Sequence, residues 1–306
     1  GNFIGKAIGT IKGYISRIKF LFLLKRYHIV YIFMWVTPLG TTLFERLVRR
    51  FSKNLIYDFD DSVFLDSNTP ESMNLGLSGV TRKSRYLISY ADRVILSSPY
   101  NLEFCLEKNF KKQAVYIPCS IDTDRFKEKK QVNEDQKVVI GWTGTFSSIP
   151  YLDSLKEALL RLSQEVPYKL LLITNFDYSF KEVDLEVSQW NRDTEIEDLH
   201  SIDIGIYPVT LDQWALGKGG LKVIQYMSIG VPSVATNYGT ACDIIEDGVN
   251  GFLVNNDDEW IDRLKELISD VNLRKNMGLA ARKKAESLYS TKVVESKYLK
   301  VLNSIE

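Results

Sequence analysis

A chain of 306 residues has room for two domains with cores of their own, and its 45% hydrophobic content excludes a disordered polymer. Basic and acidic residues balance at 39 each, so no net positive field points to a nucleic-acid partner. Three scattered cysteines (Cys105, Cys119, Cys242) read as reduced cytosolic thiols, and two histidines (His28, His200) poorly supply a zinc site or a His-based triad.

The apolar runs FLFLL and IVYIFMWV are too short to span a bilayer and no signal-peptide pattern is present, which predicts a cytoplasmic chain. Residues 3 to 26 read as a helix with Lys6, Lys12, Arg17, Lys19, Lys25 and Arg26 among apolar residues. Two readings stay open: peripheral contact with an anionic membrane, or an ordinary packed helix with solvated lysines, the second favoured. HIVYIFMWV then predicts a buried strand, Leu39 to Phe51 a helix, and NLIYDF a second strand. Asp58-Phe-Asp60-Asp61 ends that strand; loops beyond strand C-termini bind ligands in α/β sheets, so Asp60 and Asp61 are candidate acceptor-side residues, with a helix cap or a loop hydrogen-bond anchor equally favoured. Helix 79–91, strand ADRVILSS, helix 99–109 and strand AVYIP complete an alternating α/β pattern.

The charged run KEKKQVNEDQK has no apolar period and reads as a linker. After it, VVIGWTGTFSS predicts a strand whose glycine-bearing end lets backbone approach a phosphate, with Gly144 and Thr145 as donors. The absence of GxGxxG weakens a dehydrogenase reading. Helix 150–165, strands YKLLLIT, DLEVSQW and SIDIGIYPV, and the loop TLDQWAL lead to GKGGLKVIQYMSIGVPSVATNYGTACDIIEDGVNGFLV. Here Gly217-Lys-Gly-Gly feeds a helix whose first amides have no carbonyl partner, an anion site. Lys218 and Lys222 stand four residues apart, and Gln225 continues their line. Three helices, EWIDRLKELISD, VNLRKNMGLAARKKAESL and STKVVESKYLKVLNSI, close the chain.

The GK…K helix, YMSIGVPSVAT, DIIEDGVNGFLV and the later EW, LR, MG, AR and YS, in this order, resemble glycosyltransferase family 4 (the retaining group 1 glycosyl transferases). The resemblance implies an α/β protein of the GT-B fold, with two Rossmann-like domains facing a cleft. Residues 1–126 would form the acceptor-side domain, its first strand and glycine loop missing; 127–289 the nucleotide-sugar domain; and 290–306 a helix crossing back. It implies a hexosyltransferase-type enzyme, with no cofactor or metal, that moves sugar from a UDP- or GDP-sugar to a glycan or lipid-linked acceptor with retention. Bacterial surface polysaccharide or lipopolysaccharide assembly is the setting it suggests. Lys218, Lys222 and the amides near Gly219, Gly220 and Leu221 would stabilise the leaving diphosphate. Trp190 would border the base, with a buried core tryptophan the more common reading. The family's two glutamates fall on Gly217 and Gln225, so the ribose contact passes to an amide. That loss keeps a second reading open, a non-catalytic GT-B binding or regulatory protein. A sugar-nucleotide epimerase is disfavoured by the few acid/base candidates.

Overall fold

The structure, a computed structural model, describes residues 3–37, 40–65, 79–129 and 137–305. It contains two compact units, Gly1–Ile117 with Leu299–Glu306, and Pro118–Tyr298. The chain therefore enters the second unit before residue 126, the boundary expected from the charged run, most of which (130–136) lies outside the described residues. The cause is apolar: Ile121 and Phe126 are buried in the second unit's core, and Ile121 bridges to Ser290. Of the segment 290–306, only 299–306 groups with the first unit.

In the first unit the elements run α1 (Phe3–Leu21), β1 (Ile29–Phe33), α2 (Leu43–Phe51), β2 (Asn54–Phe59), α3 (Val80–Tyr90), β3 (Arg93–Leu96), α4 (Leu102–Lys108) and β4 (Ala114–Tyr116). The helix expected over 3–26 stops at Leu21, and Leu24–Arg26 form a separate tight turn. The four strands are parallel in the order β1-β2-β3-β4, so each is joined to the next by a crossover, as the alternating pattern predicts. β2 and β3 carry the core: Leu55, Ile56, Tyr57, Val94 and Leu96 are fully buried. A charged pair is buried with them. Lys83 of α3 donates from Nζ to the Thr37 carbonyl at 2.7 Å and its hydroxyl at 3.0 Å, pinning the loop after β1. Glu45 of α2, also fully buried, attracts it. Burial pushes the Glu45 carboxyl up and the Lys83 ammonium down; each is opposed by the other's charge.

The second unit runs β5 (Val138–Gly144), α5 (Ile149–Asp153), α6 (Lys156–Glu165), β6 (Tyr168–Thr174), β7 (Leu185–Gln189), α7 (Glu195–His200), β8 (Ile204–Tyr207), α8 (Gln213–Leu216), α9 (Leu221–Ser228), β9 (Ser233–Thr236), α10 (Ala241–Ile244), β10 (Gly251–Val254), α11 (Asp257–Ser269), α12 (Val271–Lys284) and, up to Tyr298, the first part of α13 (Thr291–Asn303). The expected helix 150–165 is two, parted after Asp153, and the expected loop TLDQWAL contains α8, capped by Asp212 Oδ1 on the Ala215 amide at 2.8 Å. α7 was not foreseen, because a six-residue helix with one buried residue, Leu199, shows no apolar period.

The sheet order is β10-β9-β8-β5-β6-β7, parallel throughout. Alternate strand residues feed two apolar clusters, Ile140, Leu170, Ile206 and Val234 on one face and Leu171, Ile173, Tyr207 and Ala235 on the other. The strand order reverses between β5 and β8. In doubly wound sheets the crevice outside the strand C-termini at such a reversal is where ligands bind.

Candidate functional site

The reversal brings together the end of β5 and the start of α9. Tyr226, fully buried on α9, accepts a hydrogen bond on its hydroxyl from the Thr143 amide at 3.0 Å. Burial pushes that hydroxyl's pKa up, so it stays neutral. Glycine makes this contact fit: a Cβ on Gly205 of β8 would sit 2.3 Å from the Tyr226 ring. Gly220 holds φ +70°, a left-handed turn that L side chains resist, and a Cβ there would meet Ile244 at 2.3 Å. No side chain caps the helix that follows. The start of this helix carries the positive end of its dipole.

Both lysines lie over aromatic faces supplied by β5 and the helix after it. Lys222 Nζ stands 4.7 Å from the centroid of Trp142, and Lys218 Nζ 5.0 Å from that of Tyr151. Gly144 allows the buried Trp142 indole to fold beneath the loop; a Cβ there would lie 2.1 Å from the ring. Thr145 is exposed, with its hydroxyl 2.9 Å from that of Ser147. Gly219 and Gly220 are buried and Leu221 exposed at the helix entrance. Thus the structure gathers Gly144, Thr145, Lys218, Gly219, Gly220, Leu221 and Lys222 at one end of the sheet. Two cations, a glycine-opened loop and an uncapped helix start can hold a multiply charged anion.

Gln225 and Trp190 are joined through a residue that the sequence reading missed. Both donate to Glu195 Oε1, Gln225 Nε2 at 3.4 Å and Trp190 Nε1 at 3.4 Å, while Arg125 reaches Oε2 at 3.4 Å. Trp190 is half exposed. An acid five residues after an exposed tryptophan was the only trace of this cluster in the sequence.

Asp60 and Asp61 belong to the first unit, where Asp60 Oδ1 accepts from the Asp61 amide at 2.9 Å and from the Ser97 hydroxyl. Asp61 holds a left-handed φ of 57°. Asp60 thereby ties the loops after β2 and β3. Among the described residues no three His, Cys, Asp or Glu side chains group as a metal site.

The fold is that of the GT-B glycosyltransferases. The structure superposes on that of Anabaena Alr3699/HepE in complex with UDP and glucose with a TM-score of 0.70 at 15% identity, covering 94% of this chain and 81% of that one. The model of the glycosyl transferases group 1 matches residues 122–284, more than half the chain, and the chain belongs to that family. It is 40% identical over 104 residues to D-inositol 3-phosphate glycosyltransferase of Paenarthrobacter aurescens (strain TC1), covering 33% of this chain and 22% of the relative. It is 23% identical over 202 residues to N-acetyl-alpha-D-glucosaminyl L-malate synthase of Bacillus anthracis, covering 62% of this chain and 51% of that one. The chain thus spans between about a fifth and a half of the length of these relatives.

Proposed function

We propose that the chain works in a retaining hexosyl transfer of the family 4 kind, from a UDP- or GDP-sugar to a glycan or lipid-linked acceptor, in bacterial surface polysaccharide assembly. The observation that carries this reading is the pair of lysines held over Trp142 and Tyr151 at the uncapped start of α9. Breaking the anomeric C–O bond leaves negative charge on the departing diphosphate. Lys218, Lys222 and the amides at Gly220 and Leu221 would stabilise that charge, and Gly144 and Thr145 would hold the donor from the opposite loop. One such preorganised donor is worth about 3 kcal/mol of barrier. No protein nucleophile enters the scheme: the leaving phosphate itself would help take the acceptor's proton on the same face. Trp190 would border the base, Gln225 the ribose, and Asp60 and Asp61 acceptor hydroxyls. Support for a nucleotide-sugar donor comes also from the superposed Alr3699/HepE complex, which holds UDP and glucose.

Peripheral membrane contact forms part of the same reading. Ile8, Ile11, Ile15 and Ile18 of α1, with Phe22 beyond it, are exposed at helical spacing, and exposed Lys12 and Lys19 lie among them. An apolar stripe with cations beside it suits an anionic bilayer surface. Among the described residues no helix is long and apolar enough to cross a membrane. Vesicles with anionic lipid should bind the chain at low salt and release it at high salt; absent or salt-insensitive binding would refute this part.

Calorimetry against UDP, GDP, CMP, ADP and dTDP tests the donor reading. Binding of UDP or GDP, weakened by Lys218→Ala, supports it; silence across the panel from folded protein overturns it.

A further inference from the structure

Glu195 opens α7 with its side chain only 14% exposed. Three donors from separate segments converge on its carboxylate: Gln225 from α9, Trp190 from the loop after β7, and Arg125 from the segment that leads into the unit. Each contact measures 3.4 Å, at the outer limit of hydrogen bonding, whereas an N–H···O bond usually settles near about 2.9 Å. A carboxylate offers about four acceptor sites. Glu195 is therefore aimed by its neighbours without being saturated by them.

We propose that Glu195 accepts the vicinal hydroxyls of the ribose of a nucleoside diphosphate and so selects ribonucleotides over deoxyribonucleotides; this rests on the donor reading above. Its place along α9 fits. Gln225 lies three residues after Lys222, just under one helical turn, about 4.5 Å of rise. A single methylene separates a nucleotide's first phosphate from its ribose, so a phosphate at Lys222 sets the sugar hydroxyls beside Gln225 and Glu195. The half-exposed Trp190 indole, beyond the C-terminal end of β7, offers a face on which the base can stack. Its N–H turned toward Glu195 sets the plane of that ring. The neutral amide at 225 then serves to orient a carboxylate delivered from another helix. A diol donates two hydrogen bonds and a carboxylate accepts two, whereas one amide oxygen paired with an NH2 cannot match both equally.

The test is calorimetry of the full chain with UDP, GDP, their 2′-deoxy counterparts and inorganic pyrophosphate. Glu195→Gln should weaken the ribonucleotide that binds by roughly tenfold or more, the loss of one charge-assisted bond. The matching deoxynucleotide should weaken by less than about threefold, and pyrophosphate should be unaffected. Glu195→Asp keeps the charge but withdraws it, and should likewise lower the ratio of ribo- to deoxynucleotide affinity even if Glu195→Gln folds poorly. Equal weakening of both sugars, or no change in either, overturns the assignment while leaving the donor reading intact. Failure of UDP and GDP to bind the unmutated chain overturns both.

Discussion

The Lys222 ammonium rests 4.7 Å above the centre of the Trp142 indole, and the same strand's Thr143 amide is bonded to Tyr226, four residues along the helix from Lys222. Strand and helix are thus coupled at two points, one cationic and one neutral. Removal of Lys222 should affect only the first. Lys222→Ala should weaken UDP or GDP binding by about 10- to 100-fold, the range for a hydrogen bond to a charged group, with uridine or guanosine unchanged. Equal loss for the nucleoside and its diphosphate in calorimetry would refute a phosphate role.

Gly205 is where the second coupling can be broken without touching a charge. Gly205→Ala drives a methyl to 2.3 Å from the Tyr226 ring. Overpacking of this kind costs about 1–3 kcal/mol, and the displaced phenol should also lose the Thr143 amide. Urea midpoints should fall accordingly; an unchanged midpoint would show that the interface yields more readily than its packing suggests.

Cys105 is fully buried, and burial pushes its thiol up to about 12. Iodoacetamide near neutral pH needs both access and thiolate. Mass spectrometry should find Cys105 unmodified in the folded chain and alkylated in denaturant. Labelling at native-state speed equal to that of the unfolded chain would contradict its position in the core.

The buried Glu45–Lys83 pair gives the first unit a pH dependence. The folded state holds the Glu45 proton more tightly than the unfolded one, so this contribution is present at low pH and is lost as pH rises above the ordinary carboxylate range. Lys83 acts in the opposite sense: its depressed pKa makes its contribution grow as pH climbs through the depressed value toward the ordinary lysine range. Glu45→Gln should flatten the decline in urea stability from mildly acid to neutral pH. Lys83→Met, which strands the carboxylate, should cost about 3–5 kcal/mol at neutral pH. An unaltered pH slope in Glu45→Gln would remove the glutamate from this account.

The features legible in the sequence were local. The alternation of apolar strands with helices gave both parallel sheets. Gly220 and the two lysines lie within five residues, so the helix start and its cations could be read directly. Contacts between distant residues could not. Glu195 meets Gln225 across 30 positions, and no spacing rule connects them. Lys83 is fully buried and donates to the Thr37 carbonyl, a contact between distant positions that no helical spacing connects. Trp142 and Lys222 are likewise far apart in sequence, and only the packed strand and helix lay the ammonium over the indole. The early end of α1 at Leu21 was hidden for a similar reason, since FLFLL continues an apolar run past the point where the backbone turns.

The reversal of strand order also sets a timetable. β5 and its loop leave the ribosome some seventy residues ahead of Lys218 and Lys222, with β6, β7 and β8 made between them. During synthesis the β5 side of the proposed donor site therefore waits without Lys218 and Lys222. Under the proposed donor reading, a nucleotide would find no complete surface until α9 has emerged, with β9 and β10 still to follow. Ligand-dependent protection from proteases should consequently appear abruptly in nascent chains lengthened past α9, and not grow in step with their length.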